Sequence, residues 1–99
     1  MNEMKTLTDV KKELKALKKN KGLEVNHISV TVIEADEENE MHQVCVNVYL
    51  YDRWHNEEFE DYTTGEAETL SKAEGLGKRH ATSFANAGYK AKYNGVENC

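Results

Sequence analysis

Residues 27–34 read HISVTVIE and residues 42–52 read HQVCVNVYLYD, and these two runs decide the fold. In the first, Ile28, Val30 and Val32 alternate with Ser29, Thr31 and Ile33. In the second, Val44, Val46, Val48 and Leu50 alternate with Cys45, Asn47, Tyr49 and Tyr51. A period of two puts each set on one face of a strand. With the acidic segment Asp36–Glu40 as the hairpin loop, residues whose numbers sum to 76 oppose each other. Val32 then meets Val44, Val30 meets Val46 and Ile28 meets Val48, so every core pair is β-branched. A slip of one residue would set valines against polar partners.

The same register predicts the other face of the hairpin. Thr31 lies beside Cys45, Ser29 beside Asn47 and His27 beside Tyr49, a polar and partly aromatic surface of the kind a solvated sheet presents. Tyr49, Tyr51 and Trp54 are candidates for a binding platform on it.

Working outward, residues 6–21 predict a helix. Thr6 caps it, Leu7, Val10, Leu14 and Leu17 form one stripe, Lys18, Lys19 and Lys21 suit the negative end of its dipole, and Gly22 stops it. After a turn at 54–57, residues 58–63 predict a third strand, on which Phe59 and Tyr62 take opposite faces. Its acids suit an edge guarded against pairing with other chains. Residues 64–87 predict a second long helix, capped by Thr63 with Glu66. Its face of mostly small residues is Leu70, Ala73, Gly77, Ala81, Phe84 and Gly88, and a kink at Gly75 and Gly77 is allowed. Residues 89–93 predict a short fourth strand, and 94–99 a frayed end. The expectation is one α+β domain over 1–99, ordered over about 5–93. It has the order helix, three antiparallel strands, helix, with both helices on one sheet face.

Ninety-nine residues supply one modest core. Charged residues make up 31% of the chain and mean hydropathy is −0.81, yet the hydrophobic periodicities exclude a disordered chain. No apolar run approaches the roughly 20 residues of a membrane span. Cys45 and Cys99 form no disulfide framework, which predicts a reducing, cytoplasmic setting.

Catalytic and metal motifs fail one by one. The segment GLGKR at 75–79 lacks the phosphate-loop glycine, since Lys72 stands there, and has Arg79 where Ser or Thr belongs. No pair among His27, His42, His55 and His80 has structural-zinc spacing, and on a strand His42 and Cys45 point to opposite faces. The carboxylates cluster in segments that water would reach. The chain reads as a non-enzymatic protein without metal or cofactor.

Charge distribution is the strongest functional signal. Residues 1–33 carry seven Lys/Arg and four Asp/Glu; residues 34–74 carry two and thirteen; residues 75–99 carry four and one. The acids gather at Glu34, Asp36, Glu37, Glu38 and Glu40, then at Glu57, Glu58, Glu60 and Asp61. Such a field steers a basic partner.

Helix, three antiparallel strands and helix over about 80 residues resembles the double-stranded RNA-binding domain. Val44, Val46 and Val48, then Gly65 and an alanine-rich second helix, carry the likeness. It implies RNA binding through a lysine cluster at the start of the second helix and a contact in the first hairpin loop. Here those segments read EAETLSK at 66–72 and DEENE at 36–40, acidic where the family is basic. Only the first helix, with Lys11, Lys12, Lys15, Lys18 and Lys19, has the sign suited to phosphate. A fainter similarity to the sheet-and-helix unit of Rad52-like annealing proteins meets the same objection.

The expectation is therefore a small acidic protein that docks on a basic surface of a partner protein, in the manner of phage or mobile-element inhibitors of nucleic-acid-handling enzymes. A nucleic-acid-binding module, using the lysines of the first helix with Arg53, Lys78 and Arg79, is the alternative. A homodimer through the exposed sheet face or an edge strand is a third arrangement.

Overall fold

The computed structural model describes residues 4–38 and 40–97. The chain runs α1 (Leu7–Lys21), β1 (Glu24–Ile33), β2 (His42–Tyr51), β3 (Glu57–Ala67), α2 (Leu70–Asn86) and β4 (Ala91–Glu97). The sheet order is β3-β2-β1-β4. Strand β2 is antiparallel to both β1 and β3, and β4 is parallel to β1. Strand β3 leaves the hairpin at one sheet edge, so α2 must cross the sheet before the chain returns beyond β1, and a parallel strand needs such a crossover.

The central hairpin has the expected register. Ile28 faces Val48, Val30 faces Val46 and Val32 faces Val44, with Ser29 opposite Asn47 and His27 opposite Tyr49. These valines are fully buried and share one core with Val10 and Leu14 of α1 and with Ala73, Ala81 and Phe84 of α2. Both helices therefore cover the same face. They are also tied to each other: Lys11 Nζ donates to Ser83 Oγ at 2.8 Å and lies 5.6 Å from the centre of the Phe84 ring. Thr6 caps α1 by accepting from the Asp9 amide, and Gly22 closes it in the left-handed conformation.

Three local expectations are corrected. Residues 64–67 belong to β3, not to the second helix: the strand continues past Thr63, which pairs with Cys45, to Gly65 opposite Val44 and Ala67 opposite His42, and Thr64 is the extra residue of a bulge. The helix cap falls to Thr69, which accepts from the Lys72 amide, so Glu66 is a strand residue. The opposite faces expected for Phe59 and Tyr62 on β3 hold, with Tyr62 buried and Phe59 exposed. The fourth strand begins at Ala91 rather than 89 and includes residues 94–97, which were expected to fray. Asn94 Nδ2 donates to Ser29 Oγ and Gly95 takes a positive φ at a register shift, which lets the strand continue. Cys99 and the remaining terminal residues expected to fray lie outside the described residues, as does Asn39 of the hairpin loop.

The two glycines of α2 differ. A Cβ on Gly77 would sit 2.7 Å from the Tyr93 ring, so this glycine lets β4 approach the helix; a Cβ on Gly75 would meet open space. Gly75→Ala should therefore raise stability by about 1 kcal/mol through helix propensity. Gly77→Ala should lower it, because overpacking against Tyr93 costs about 1–3 kcal/mol. Thermal melts of the two variants, moving in opposite directions, check this.

Thr64 Oγ1 and His80 Nδ1 lie 2.8 Å apart between β3 and α2. Burial, and secondarily the Arg79 charge, hold His80 below its ordinary pKa. The unfolded chain takes up a proton near pH 6.5 that the folded chain resists. The stabilisation is thus complete above that pH and declines as the pH falls below it. His80→Gln should flatten this decline, read as a smaller drop in Tm between about pH 7.5 and about pH 5.

Candidate functional site

The helices leave the second face of the sheet open, and alternation along three strands determines what it shows. At its centre are Ser29, Thr31 and Thr63, which are buried although polar. Asn94 satisfies Ser29, and Asn47 Nδ2 donates to Thr31 Oγ1 at 3.4 Å. This centre thus holds two hydrogen-bonded side-chain pairs, with half-buried Cys45 beside them.

Toward the β2–β3 turn the face becomes aromatic. His27, Tyr49 and Phe59 are direct neighbours across β1, β2 and β3. The His27 and Tyr49 rings stack at 4.4 Å with 14° between planes, and Tyr49 and Phe59 lie 5.3 Å apart, tilted by 59°. Phe59 remains 52% exposed and Tyr49 39%, so none of the described residues covers the row. Tyr51, one row on, stacks on His55 at 5.9 Å. Its hydroxyl donates to Glu24 Oε2 at 3.1 Å, and that carboxylate raises the pKa of the phenol.

The turn beyond is rigid. Asp52 Oδ1 accepts from the amides of Trp54 and Asn56, both at 2.9 Å, and Oδ2 accepts from Asn56 Nδ2 at 3.1 Å. These bonds, the Asn56 amide foremost, hold the Asp52 carboxyl below its ordinary pKa. His55 closes the turn with φ +64°, which a non-glycine residue rarely adopts. The result displays Trp54, 72% exposed, with the Arg53 guanidinium 5.3 Å from the centre of its ring. Between the aromatic row and the turn lies a groove of about 830 Å³, walled by His27, Tyr49, Tyr51, His55 and Phe59, with Glu57 and Glu58 at its β3 side.

The carboxylates expected to act together fall into two groups. Glu57 and Asp61 lie on the open face, opposite Tyr51 and Asn47. Glu58 and Glu60, opposite Leu50 and Val48, belong to the helix-side register but are exposed at the sheet edge. Glu34, Asp36, Glu37, Glu38 and Glu40 lie in the β1–β2 loop, at the other end of the ten-residue strand β2 and so roughly 30 Å from the turn. His42 Nδ1 anchors that loop by accepting from the Ala35 amide at 2.9 Å. The loop acids and the aromatic row therefore do not form one contiguous site.

The charge is layered. The two helices carry nine Lys/Arg against three Asp/Glu, a net of +6, and the four strands carry one Lys against seven Asp/Glu, a net of −6. Among the described residues no three His, Cys, Asp or Glu side chains converge to hold a metal ion, and no helix is long and apolar enough to cross a membrane.

No protein-family model, curated protein or solved structure matches this chain. The face must be read from its own chemistry.

The hairpin register placed His27 on this face beside Tyr49, as observed, whereas His55 and Phe59 were missed as parts of it. Phe59 required the register of β3, which the Asp52–Asn56 turn sets.

Asp52→Ala should loosen the turn without unfolding the sheet. Amide exchange at Trp54 and Asn56 should speed up about ten-fold, as loss of roughly one hydrogen bond's net stabilisation implies. Because its folded-state pKa is depressed, the wild-type turn should stay ordered above the ordinary carboxylate range and loosen only as the pH falls below it. NMR exchange rates check both.

Proposed function

We propose that this protein is a non-enzymatic binding domain whose acidic sheet layer docks on a basic surface of a partner protein. The observation that carries the reading is the uncovered row His27–Tyr49–Phe59 on a layer of net charge −6, while the opposite layer carries +6. Exposed aromatic side chains in a rigid setting are what protein interfaces bury at their centres. Carboxylates around them exclude acidic partners and speed the approach of basic ones.

Charge also weighs against phosphate as the first target. Nucleic-acid affinity rests largely on Lys and Arg displacing counterions, and the open face and its loop present carboxylates instead. An enzyme that grips nucleic acid does expose a basic surface. Against such a partner the acids would take the place of phosphates, and the protein would act as an inhibitor.

The test has two stages. Photo-crosslinkers placed at positions 49 and 59, in nuclease-treated lysate, should capture a protein whose contact surface is rich in Lys and Arg. Crosslinks confined to the helix layer, or recovery of nucleic acid alone, overturn the proposal. Asp36→Ser, Glu37→Ser, Glu38→Asn and Glu40→Asn combined should then leave the melting temperature essentially unchanged, since those side chains are exposed. The same variant should slow association with that partner by about ten-fold at low salt and flatten its salt dependence. An unchanged association rate would leave the loop acids as solvated charges only.

A further inference from the structure

We propose that the groove beside the aromatic row receives an arginine side chain of the partner, an inference that rests on the docking reading above. Its walls are planar rings in two stacks, His27 with Tyr49 and Tyr51 with His55, and Phe59 adds a tilted third ring to the first. Its volume is about 830 Å³, room for an extended side chain in a groove open to solvent.

The carboxylates identify the occupant. Glu57 lines the groove from the open face and Glu58, in the helix-side register, borders it at the exposed sheet edge; among the described residues neither is held in an ion pair. Two cations at this end of the sheet are already engaged: Lys18 lies 3.6 Å from Glu24, and Arg53 lies over Trp54. Glu24 itself accepts from Tyr51 and borders the far side of that ring. The groove thus combines aromatic rings with negative charge that no ion pair engages among the described residues.

A guanidinium matches both features, because it is planar, stacks on aromatic faces and donates two parallel hydrogen bonds to one carboxylate. An ammonium group meets the charge but has no plane to stack. A nucleobase meets the rings but brings a phosphate to the carboxylates. An apolar side chain leaves Glu57 and Glu58 facing a desolvated surface without a partner.

The experiment is an NMR titration of the intact protein with acetyl-Gly-Arg-Gly-Arg-Gly-amide. Its lysine and citrulline counterparts and a short oligothymidine run in parallel. The arginine peptide should shift the ring signals of Tyr49, Tyr51 and Phe59 together with the side chains of Glu57 and Glu58. The lysine and citrulline peptides should each bind about five-fold more weakly or worse, since one lacks the plane and the other the charge. Glu57→Gln with Glu58→Gln, both exposed and safe for folding, should weaken the arginine peptide by a similar factor. The Asp36, Glu37, Glu38 and Glu40 loop variant should not weaken it. Equal binding of the lysine peptide, shifts confined to the β1–β2 loop, or oligothymidine occupying the groove in preference to the peptide would each overturn the assignment. Those outcomes leave the crosslinking result standing, so failure of the arginine site and failure of the docking reading are told apart.

Discussion

Three β-branched pairs across β1 and β2, Ile28–Val48, Val30–Val46 and Val32–Val44, set the orientation of everything else in the molecule. All six residues are essentially inaccessible to solvent. Removing that much apolar surface from water is what the chain has to offer against the entropy of folding, and it is possible only if other elements cover the valine face. Helices α1 and α2 do so with Val10, Leu14, Ala73, Ala81 and Phe84. Because side chains alternate along a strand, committing the even positions of the hairpin to the core commits the odd ones to the opposite face. The open face follows from the core as a matter of geometry.

That face is built unevenly. At its centre the polar side chains satisfy one another, Ser29 with Asn94 and Thr31 with Asn47. At its turn-proximal end stand aromatic rings that the core does not use. Phe59 and Trp54 keep most of their surface in water, so they gain little from folding. Cross-strand stacking of His27 on Tyr49 adds to sheet stability, about 0.2–1 kcal/mol for such a pair. It does not account for Trp54, held outward on a turn fastened by Asp52. Rigid display of an aromatic side chain lowers the entropy a partner must overcome, which is the physical basis for reading this end as a contact surface.

The hairpin was legible residue by residue because its constraint is local: one acidic loop and two alternating strands admit a single register that pairs valine with valine. The first helix was equally plain from Thr6, its apolar stripe and Gly22. Thr63 and Thr69 both make plausible helix caps, however, and local pattern alone cannot choose between them. The choice is made by β2, whose residues His42–Val44 still need partners and take Gly65, Glu66 and Ala67. Strand β4 owes its place to a contact across the fold, the Tyr93 ring against Gly77, which no sequence window contains. The candidate face shows the same division. Tyr49, Tyr51 and Trp54 were visible from alternation and composition, and Phe59 joined them only once the β3 register was known. The carboxylates read as one patch in sequence are split between two ends of the sheet, because β2 separates them by its full length.

That separation bears on how docking would proceed. Screening limits the reach of a surface charge to about 8–10 Å at physiological salt, so loop acids upwards of roughly 20 Å along β2 from the aromatic row add little to the stability of a contact made at that row. They can still orient a basic partner during approach, when the whole field of the molecule acts. The row and its groove, bordered by Glu57 and Glu58, would act at contact distance, where stacking and charge-assisted hydrogen bonds govern how long a complex lasts. Steering and holding would thus belong to different ends of one sheet. The basic helix layer on the opposite side adds a directional element, because a partner attracted by the acids is repelled by the α1 and α2 surface. A positively charged surface would meet repulsion at the helix layer and attraction at the open face.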